Sequence, residues 1–344
     1  MKVLIIGGTN FIGPPVIRYL AAAGHQMMIF NRGQTQVKLP HRVERLLGDR
    51  HHLREYRAQI KAFAPDIVLD MIPYTQTEAE TVLETIQGFC DRVVAISSQD
   101  VYRARDIIWG LESNGVDPTP LTESAPLRSR YYPYRDASPL GLPPDYDKIL
   151  VEQAYLNSPD VQVTLLRLPM VYGPGDPLHR FAAYLHRLNA DRPAILLEAS
   201  LANWRSSYSY VDNVAWGIAL AVIQPQPHDC IFNISELNPL SEAEQLALLG
   251  TLANWSGQVI AVSRDHLPDT WHFPFNMQQD WVTDSTQIRQ ILGYQEPIDR
   301  TEALKRTLDW ERSHPLTDVS QSASAMAILE EDIENTILKA MGLL

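Results

Sequence analysis

Cysteine is scarce in this 344-residue sequence: Cys90 and Cys230 are the only two, and they stand far apart with no second ligand residue nearby. Isolated cysteines of this kind are typical of buried, reduced thiols, so we expect neither a disulfide framework nor a cysteine-based metal site. Long apolar runs are missing too, since none approaches the roughly 20 residues that a membrane-spanning helix needs. The first strand-like run starts at Lys2 or Val3, so we expect no signal peptide before the fold. We therefore expect a globular protein of the cytoplasm with no membrane partner.

Positive charge is also in short supply. The chain has 29 Lys and Arg against 41 Asp and Glu, and its formal net charge is −12. Nucleic-acid-binding proteins usually carry a basic surface, so nucleic acid is not expected as the main partner. Residues 1–60 are the exception, with nine Lys and Arg against three acidic residues. This local excess fits a small polyanionic ligand, although a solvated helix face within residues 42–61 would account for most of these charges.

Apolar runs of strand length alternate with helical patterns along the first two thirds of the chain. This alternation is typical of βαβ units and predicts an α/β fold, namely a doubly wound parallel sheet of the Rossmann type with helices on both faces. Ligands bind such sheets at the carboxyl ends of the strands, near the point where the strand order reverses. The strand-like runs are residues 2–8, 25–32, 66–72, 92–98, 161–169 and 230–235.

The stretch "GGTNFIG" at residues 7–13 lies between the first predicted strand and the first predicted helix. Glycines there permit a tight turn and a close approach of helix to sheet. We expect the helix N-terminus to offer unpaired N–H groups and a partial positive charge to a pyrophosphate, although a turn without ligand is the alternative. Asn10 tolerates left-handed backbone, and its amide can donate to phosphate. The predicted contacts are Gly7, Thr9, Asn10, Phe11, Ile12 and Gly13.

No acidic residue stands at the end of the second predicted strand, where proteins that prefer NAD usually bind the ribose hydroxyls. The sequence there is "FNRG", with Asn31 and Arg32. Because a guanidinium can pair with a 2′-phosphate or stack over adenosine, NADP is the predicted cofactor and NAD the alternative. Asp49 and Arg50 follow a short third strand and are predicted to belong to the same site. Asp49 can accept a hydrogen bond from the adenine amino group, or it can simply form a turn.

These motifs imply a two-part organisation. Residues 1–175 are predicted to form an NAD(P)-binding Rossmann domain that is completed by about residues 209–235. Residues 176–208 and 236–315 are predicted to form a smaller, discontinuous C-terminal α/β lobe that holds the substrate and closes over the crevice. Residues 103–145 show no clear element and are predicted to be a long active-site loop.

Residues 316–344 are predicted to be an amphipathic helical tail. Helical spacing places five apolar side chains along one face of this tail. We expect the face to pack on the chain's own smaller lobe, and the alternative is a contact between two copies in a homodimer. The five residues are Met326, Leu329, Ile333, Ile337 and Met341.

Four motifs, in this order, resemble the short-chain dehydrogenase/reductase superfamily in its extended or atypical NAD-dependent epimerase/dehydratase branch. "GGTNFIG" resembles the glycine motif of that branch, and "SSQDVY" (97–102) resembles its Ser-Ser-x-x-Val-Tyr strand end. "RLPMVYGPGD" is similar to the segment beside the nicotinamide, which implies contacts from Pro169 and Val171. "YSYVDNVAWGIALA" (208–221) is similar to the strand and helix with Tyr-Val-x-Asp-Val-Ala. The glycine motif together with "FNRG" also resembles a subgroup that includes chloroplast stem-loop-binding proteins, which associate with RNA.

The resemblance implies a catalytic trio of Ser, Tyr and Lys, in which tyrosine precedes lysine by four residues on one helix face. In that arrangement the ammonium group lowers the pKa of the phenol and binds the nicotinamide ribose, while the phenolate takes a hydroxyl proton. By motif position, Ser98 matches the serine and Lys148 matches the lysine. The residue four positions before Lys148 is Pro144, so the sequence departs from the pattern at the tyrosine.

Tyr146 is the provisional acid/base. On a regular helix it would lie about 200° around from Lys148, but it can reach the site if the helix begins only after Pro144. A surface or capping role, with loss of the usual proton transfer, is the opposing interpretation. Glu152, one turn after Lys148, is expected to be a structural partner on the helix. Other candidate phenols come from the preceding loop, namely Tyr131, Tyr132 and Tyr134.

No metal site is predicted, because His51 and His52 are adjacent and cannot chelate one ion well on a helix. Arg205 and Tyr208 are candidates for contact with a substrate phosphate or sugar, with an ion pair as the alternative for Arg205. The leading hypothesis is an NAD(P)-dependent oxidoreductase, epimerase or dehydratase that acts on a hydroxylated small molecule such as a nucleotide-sugar. The alternative is a non-catalytic dinucleotide-binding sensor, or an RNA-associated protein, of the same fold.

Overall fold

The computed structural model describes residues 1–344 except 36, 42, 114, 137–140, 191, 325–329 and 344. Its central element is a seven-stranded sheet in which every neighbouring pair is parallel, in the order β10-β6-β5-β4-β1-β2-β3. The strands are β1 (Lys2–Ile6), β2 (Gln26–Asn31), β3 (Val43–Leu47), β4 (Ile67–Asp70), β5 (Arg92–Ser98), β6 (Gln162–Leu168) and β10 (Cys230–Asn233).

Two pairs of short parallel strands lie outside this sheet. They are β7 (Met170–Tyr172) with β9 (Tyr208–Tyr210), and β8 (Ala194–Glu198) with β11 (Gln258–Val262). The described helices are α1 (Gly13–Ala22), α2 (Arg57–Phe63), α3 (Gln76–Ile86), α4 (Arg103–Ile108), α5 (Lys148–Leu156), α6 (Ala182–Asn189), α7 (Ala199–Asn203), α8 (Val211–Ile223), α9 (Glu242–Leu252), α10 (Thr286–Leu292), α11 (Arg300–Ser313) and α12 (Glu331–Ala340).

Both faces of the large sheet are covered by helices, which explains the continuous apolar run of β1. Val3 and Ile5 face one buried core, to which α1 and α8 contribute. Leu4 and Ile6 face the opposite core, to which α3 and α5 contribute. Alternate side chains of a strand point to opposite faces, so a strand buried on both sides needs apolar residues at every position. The predicted doubly wound α/β sheet is confirmed.

The strand order reverses between β1 and β4, which lie side by side at the centre of the sheet. The chain from β1 leads outward through β2 and β3, and then returns to β4 on the other side. In open α/β sheets the crevice above such a point binds the ligand. The loops that follow β1, β2 and β4 therefore define where a site is to be sought.

Residues 43–47 form the edge strand β3, so the short third strand predicted before Asp49 is confirmed. The alternative of one helix face within residues 42–61 is wrong for this part, because the helical backbone starts only with the 3₁₀ turn Arg50–Tyr56. The segment 103–145 was predicted to lack regular structure, yet it begins with the short helix α4. This helix carries Ala104, Ile107 and Ile108 into the core, and an apolar spacing over so few residues gives a weak sequence signal.

The tail helix α12 packs on the chain's own β8. Leu338 is fully buried against Ala194, Leu196 and Val262. The predicted face is displaced by one position, because the buried residues are Glu334 and Leu338. Ile333 and Ile337 are only half-buried and Met341 is exposed, while the predicted positions Met326 and Leu329 lie outside the described residues.

A buried charge explains this displacement. The Glu334 carboxylate lies between the guanidinium groups of Arg187 and Arg192, and it accepts a 2.9 Å hydrogen bond from the Leu196 N–H. A prediction based on apolar residues alone places every glutamate on the solvent side of a helix. It therefore put the buried face of the tail helix on the wrong side of Glu334. Within the described part of the chain, no helix combines the length and apolar character needed to cross a membrane.

Candidate functional site

The loop between β1 and α1 is built on its glycines. Gly7 and Gly8 adopt φ values of 87° and 79°, which side chains disfavour. Gly13 closes the loop, since a Cβ atom there would lie 2.2 Å from the Gly8 carbonyl oxygen. The turn and the close approach predicted for Gly7 and Gly13 are therefore present. Gly8 also needs to be glycine, although it was not among the predicted contacts.

Two details of the predicted phosphate cradle are wrong. The residue in the left-handed region is Phe11, with φ of 41°, and not Asn10. The first turn of α1 also offers few N–H groups, because Pro14 and Pro15 have none and the Gly13 N–H donates to the Asn10 carbonyl. Donors for an anion must come from the loop that precedes the helix.

A cleft of about 840 Å³ lies above the carboxyl ends of β1, β2 and β4. Its volume is in the range of small-molecule and cofactor sites. The cleft brings together nine residues that the sequence predicted, namely Gly7, Thr9, Asn10, Phe11, Ile12, Asn31, Arg32, Asp49 and Arg50. Lining residues that the sequence reasoning missed include Gly8, Gly33, Gln34, Thr35, Thr75, Glu78 and Pro143.

The end of β2 leaves Arg32 available to a ligand. The Asn31 amide is used locally, donating to Thr9 Oγ1 at 3.3 Å and accepting from the Gly33 N–H at 3.0 Å. Arg32 is exposed on the cleft wall, and no hydrogen bond or ion pair to it is found among the described residues. An unpaired guanidinium at this place is suited to a phosphate or to an adenine ring.

Asp49 and Arg50 are both bound to the protein itself. Asp49 caps the 3₁₀ turn by accepting from the His51 N–H at 3.0 Å. The Arg50 side chain is 9% exposed, with Nη2 3.0 Å from Asp70 and Nε 3.2 Å from Glu78. These contacts make Arg50 part of the cleft floor, where its charge is already neutralised.

Helix α5 begins at Lys148, later than a regular Tyr-x-x-x-Lys helix would require. Asp147 is its N-cap and accepts from the Ile149 N–H at 2.8 Å. The fully buried Asp147 carboxylate also forms a two-point ion pair with Arg128, at 2.9 and 3.0 Å, and accepts from the Tyr132 N–H. Tyr146 therefore stands in the turn before the helix, as the sequence argument required for it to reach Lys148.

The Tyr146 side chain is buried, so a surface position is excluded. Its hydroxyl donates to Asp100 Oδ2 at 2.9 Å, and its ring packs against those of Tyr74 and Tyr134. Burial, followed by the charge of Asp100, raises the pKa of Tyr146 well above its usual value of 10.0. Burial likewise raises the pKa of Tyr134 to about 12. Neither phenol is ionised near neutral pH.

Lys148 is buried beneath two aromatic rings. Its Nζ donates to the carbonyls of Pro73 and Ile96, at 2.6 and 2.9 Å, and lies 5.3 and 5.9 Å from the ring centroids of Tyr74 and Tyr146. Burial lowers the pKa of Lys148 from 10.5 to about 8. The amine is thus poised between its charged and neutral forms in the weakly alkaline range.

Ser98 ends β5, and its Oγ accepts from the Asp100 N–H at 3.2 Å, which caps a 3₁₀ turn. Among the described residues, no acceptor for the Ser98 hydroxyl proton is found. Glu152 forms an ion pair with Arg167 at 2.7 Å and accepts from Ser97, so it is the structural partner that was expected.

The three predicted catalytic residues Ser98, Tyr146 and Lys148 are not among the residues that line the cleft, and neither are the remaining predicted residues. Val171 is buried in β7 and accepts from Arg180 through its carbonyl, while Pro169 joins β6 to β7. Arg205 pairs with Glu244 at 2.9 Å, and the Tyr208 hydroxyl donates to Glu242 at 3.0 Å. The ion-pair alternative for Arg205 describes what is found. Among the described residues, no group of three or more His, Cys, Asp or Glu is arranged to hold a metal.

Two charged residues of the site were missed. Asp100 stands inside the quoted motif "SSQDVY", so its position beside Ser98 was visible although its contact with Tyr146 was not. The sequence contains no indication of a role for Arg128, because its partner Asp147 is 19 residues away across a segment without helical or strand periodicity.

No protein-family model matches the chain. Individual proteins with similar sequences and solved structures with a similar fold were found. The chain is 27% identical over 249 residues to the chloroplast stem-loop binding protein of 41 kDa b from Arabidopsis thaliana, covering 68% of this chain and 58% of that protein. It is 26% identical over 249 residues to a 2′-dehydrokanamycin reductase from Streptomyces kanamyceticus, and the match covers 70% of this chain and 63% of that protein. The chain thus spans less than two thirds of either relative.

The fold is similar to that of a UDP-glucose-4-epimerase from Stenotrophomonas maltophila, solved with NAD and formylated UDP-arabinopyranose. The TM-score is 0.67 at 17% identity, and the match covers 91% of this chain and 98% of that one. The sheet order, the glycine loop and the sequence relatives agree with the resemblance read from the four motifs. These matches are consistent with the extended epimerase/dehydratase branch of the short-chain dehydrogenase/reductase superfamily, which the chain resembles in sequence and fold.

Proposed function

We propose that the chain binds a nicotinamide dinucleotide in the cleft and uses it to oxidise or reduce a hydroxyl-bearing carbon of a small molecule, with a nucleotide-sugar as the substrate class. The observation that carries this proposal is the glycine loop at the strand-order reversal. A single Cβ at Gly13 would collide with Gly8, so the loop is held in a shape that leaves its backbone open towards the cleft. The residues present fit the cofactor.

The loop backbone is the proposed pyrophosphate site. Asn10, Phe11 and Ile12 line the cleft, and no described group accepts a hydrogen bond from their N–H groups. Arg32 is proposed to bind the adenosine half, and Lys148 the nicotinamide ribose. When bound, the dinucleotide supplies a carbon that accepts or returns a hydride. Ser98 is proposed to orient the substrate oxygen, and Tyr146 to contact the proton of its hydroxyl group.

The substrate class rests on the comparisons. One sequence relative is named a reductase, and a neighbour of the same fold was solved with NAD and a UDP-sugar. A second relative, a 3-diazoavenalumate denitrifying reductase from Streptomyces sp., is 24% identical over 256 residues. These names support a dinucleotide-dependent enzyme of the oxidoreductase kind, and the UDP-sugar supports the choice of nucleotide-sugars as first substrates to test.

Isothermal titration calorimetry tests the cofactor. We expect NADP⁺ to bind more tightly than NAD⁺, because Arg32 has no carboxylate neighbour to repel a 2′-phosphate. Arg32→Ala should reduce that preference by about tenfold or more, the effect of losing a charge-assisted hydrogen bond. Arg45→Ala is the matched control, since Arg45 is an exposed arginine of β3 outside the cleft lining. If neither NADP⁺ nor NAD⁺ binds, the proposal is refuted.

Turnover tests the reaction. We expect the protein with NADP⁺ or NAD⁺ to consume UDP-glucose or a related UDP-sugar, followed through dinucleotide absorbance or product analysis. Lys148→Met should abolish that turnover, because it removes the amine under the proposed nicotinamide ribose. A Lys148→Met protein as active as the wild type would show that this lysine has no part in the chemistry.

A non-catalytic protein is the second candidate, and one departure favours it: Pro144 occupies the position where the branch has tyrosine. The relative named as a stem-loop binding protein adds RNA to the partners to be tested. Filter binding with structured RNA at physiological salt tests whether the chain binds RNA. Retention that survives added salt would support an RNA role, whereas weak, purely electrostatic retention would leave it without support.

A further inference from the structure

A buried carboxylate with an unused oxygen lies next to the proposed reaction site. Asp100 is 4% exposed and stands two residues beyond Ser98. Its Oδ2 accepts from the Tyr146 hydroxyl at 2.9 Å, while Oδ1 has no hydrogen-bond partner within the described part of the chain. A buried acceptor without a partner is costly, so such a group calls for a role beyond packing.

The charges around Asp100 leave it without an ion-pair partner. On α4, Arg105 pairs with Asp106 at 2.6 Å. In the following connection, Arg128 pairs with Asp147. Tyr134 and Tyr146 add neutral phenols, and the remaining charged group that faces Asp100 is Lys148, whose described hydrogen bonds go to backbone carbonyls. The charges of Arg128, Lys148 and Arg105 lower the pKa of Asp100, in that order, but none of the three forms an ion pair with it among the described residues. The hydrogen bond described for the Asp100 carboxylate comes from Tyr146.

The direction of the hydrogen bond decides which group can take a proton. Tyr146 donates to Asp100, and the carboxylate together with burial raises the pKa of the phenol. Burial also raises the pKa of Asp100 from its usual 3.8. The first shift keeps the phenol protonated, and the second makes the carboxyl group easier to protonate, so the titration of the pair belongs to the carboxyl group. This is the reverse of a tyrosine activated as phenolate by a lysine.

We propose that Asp100 holds the proton that the reaction transfers, and that Tyr146 passes this proton on as a neutral phenol. The inference rests on the proposed function and specifies its chemistry. In the oxidative direction the substrate C–H bond breaks and its hydride goes to the oxidised nicotinamide dinucleotide. The substrate O–H proton bonds to Tyr146 Oη, the phenol's own proton bonds to Asp100 Oδ2, and the substrate C–O bond becomes a carbonyl. Asp100 acts through Tyr146, so it is a positioning residue that does not touch substrate.

The first test needs neither cofactor nor substrate. The protein is labelled with ¹³C at tyrosine Cζ, and the Tyr146 resonance is assigned by its loss in Tyr146→Phe. As pH rises through the carboxyl range, we expect this resonance to show a small hydrogen-bond shift with a midpoint above that of an ordinary aspartate, and no tyrosinate at neutral pH. Asp100→Asn should abolish the shift, and Asp100→Glu should restore it with a different midpoint.

Glu236→Gln is the matched control, because Glu236 accepts from the buried phenol of Tyr172 at 2.9 Å outside this cluster. It should leave the Tyr146 titration unchanged. A Tyr146 resonance that does not move in the carboxyl range, or one that shows tyrosinate near neutral pH, overturns the inference. If Asp100→Asn does not fold, the pH titration of the Tyr146 resonance in the wild-type protein is sufficient to test the inference.

The second test applies to turnover of a UDP-sugar. The acidic limb of the pH–rate profile should belong to Asp100, so Asp100→Asn should lose about 10²–10⁴-fold in rate and flatten that limb, while Asp100→Glu recovers both. An unchanged limb in Asp100→Asn counts against the inference. Absence of turnover in the wild type, with the Tyr146 titration as expected, would refute the proposed function and leave the shared proton of the pair in place.

Discussion

Replacing Arg128 with methionine tests the ion pair that holds Asp147, the N-cap of α5, beside the proposed reaction site. The change keeps most of the side-chain volume but leaves the fully buried Asp147 carboxylate without its cation. Removing one partner of a buried ion pair typically costs about 3–5 kcal/mol. Asp147 keeps the N–H donors of Ile149 and Tyr132, at 2.8 and 2.6 Å, so we expect a loss near the lower end, about 3 kcal/mol.

Urea unfolding followed by circular dichroism measures this loss, and an unchanged slope with urea would show that the native state stays compact. Arg306→Met is the matched control, because Arg306 pairs with Glu302 at 2.7 Å while both side chains are 45% exposed. Exposed pairs of this kind contribute up to about 1 kcal/mol. If Arg128→Met costs no more than Arg306→Met, the ion pair does not hold the start of α5 in place.

Three further outcomes are expected. Since the folded-state pKa of Lys148 is about 8 against 10.5 unfolded, the unfolded chain binds more protons between those values. The free energy of unfolding should therefore rise from pH 8 to about 10, and Lys148→Met, measured by urea unfolding across that range, should lack this rise. Leu338→Ala should release α12 to limited proteolysis, since it empties a fully buried site, whereas the exposed Met341→Ala should not. Arg50→Met should lower the melting temperature in calorimetry, because it strands two buried carboxylates, and an unchanged melting temperature would contradict their dependence on Arg50.

The central sheet could be predicted because its signals are local. A strand covered on both faces must be apolar at every position, and "KVLII" meets that demand without reference to the rest of the chain. The glycine loop was predictable for the same reason, since the close approach of Gly13 to Gly8 forbids any other residue at position 13. Which loop residue becomes left-handed was not predictable, because Phe11 takes that conformation in preference to the more tolerant Asn10.

The proposed reaction site depends on contacts between distant residues, and its structure could be predicted only in part. The sequence shows that Pro144 breaks the Tyr-x-x-x-Lys spacing, and it identifies Tyr146 as a candidate. The direction of the Tyr146 side chain is fixed by Asp100, which comes from another strand end 46 residues earlier. Ion pairs and hydrogen bonds across such separations leave no periodic trace in the sequence.

The position of Glu334 has a consequence for synthesis of the chain on the ribosome. The N–H of Leu196 donates to the carboxylate of Glu334, which lies 138 residues later in the chain. Arg187 and Arg192 form ion pairs with the same carboxylate. Until that segment emerges, the nascent polypeptide carries two clustered guanidinium groups and an uncovered apolar ridge on β8. Exposed surfaces of this kind promote aggregation and chaperone binding, so we expect the region around β8 to complete its folding late, after translation has passed Glu334.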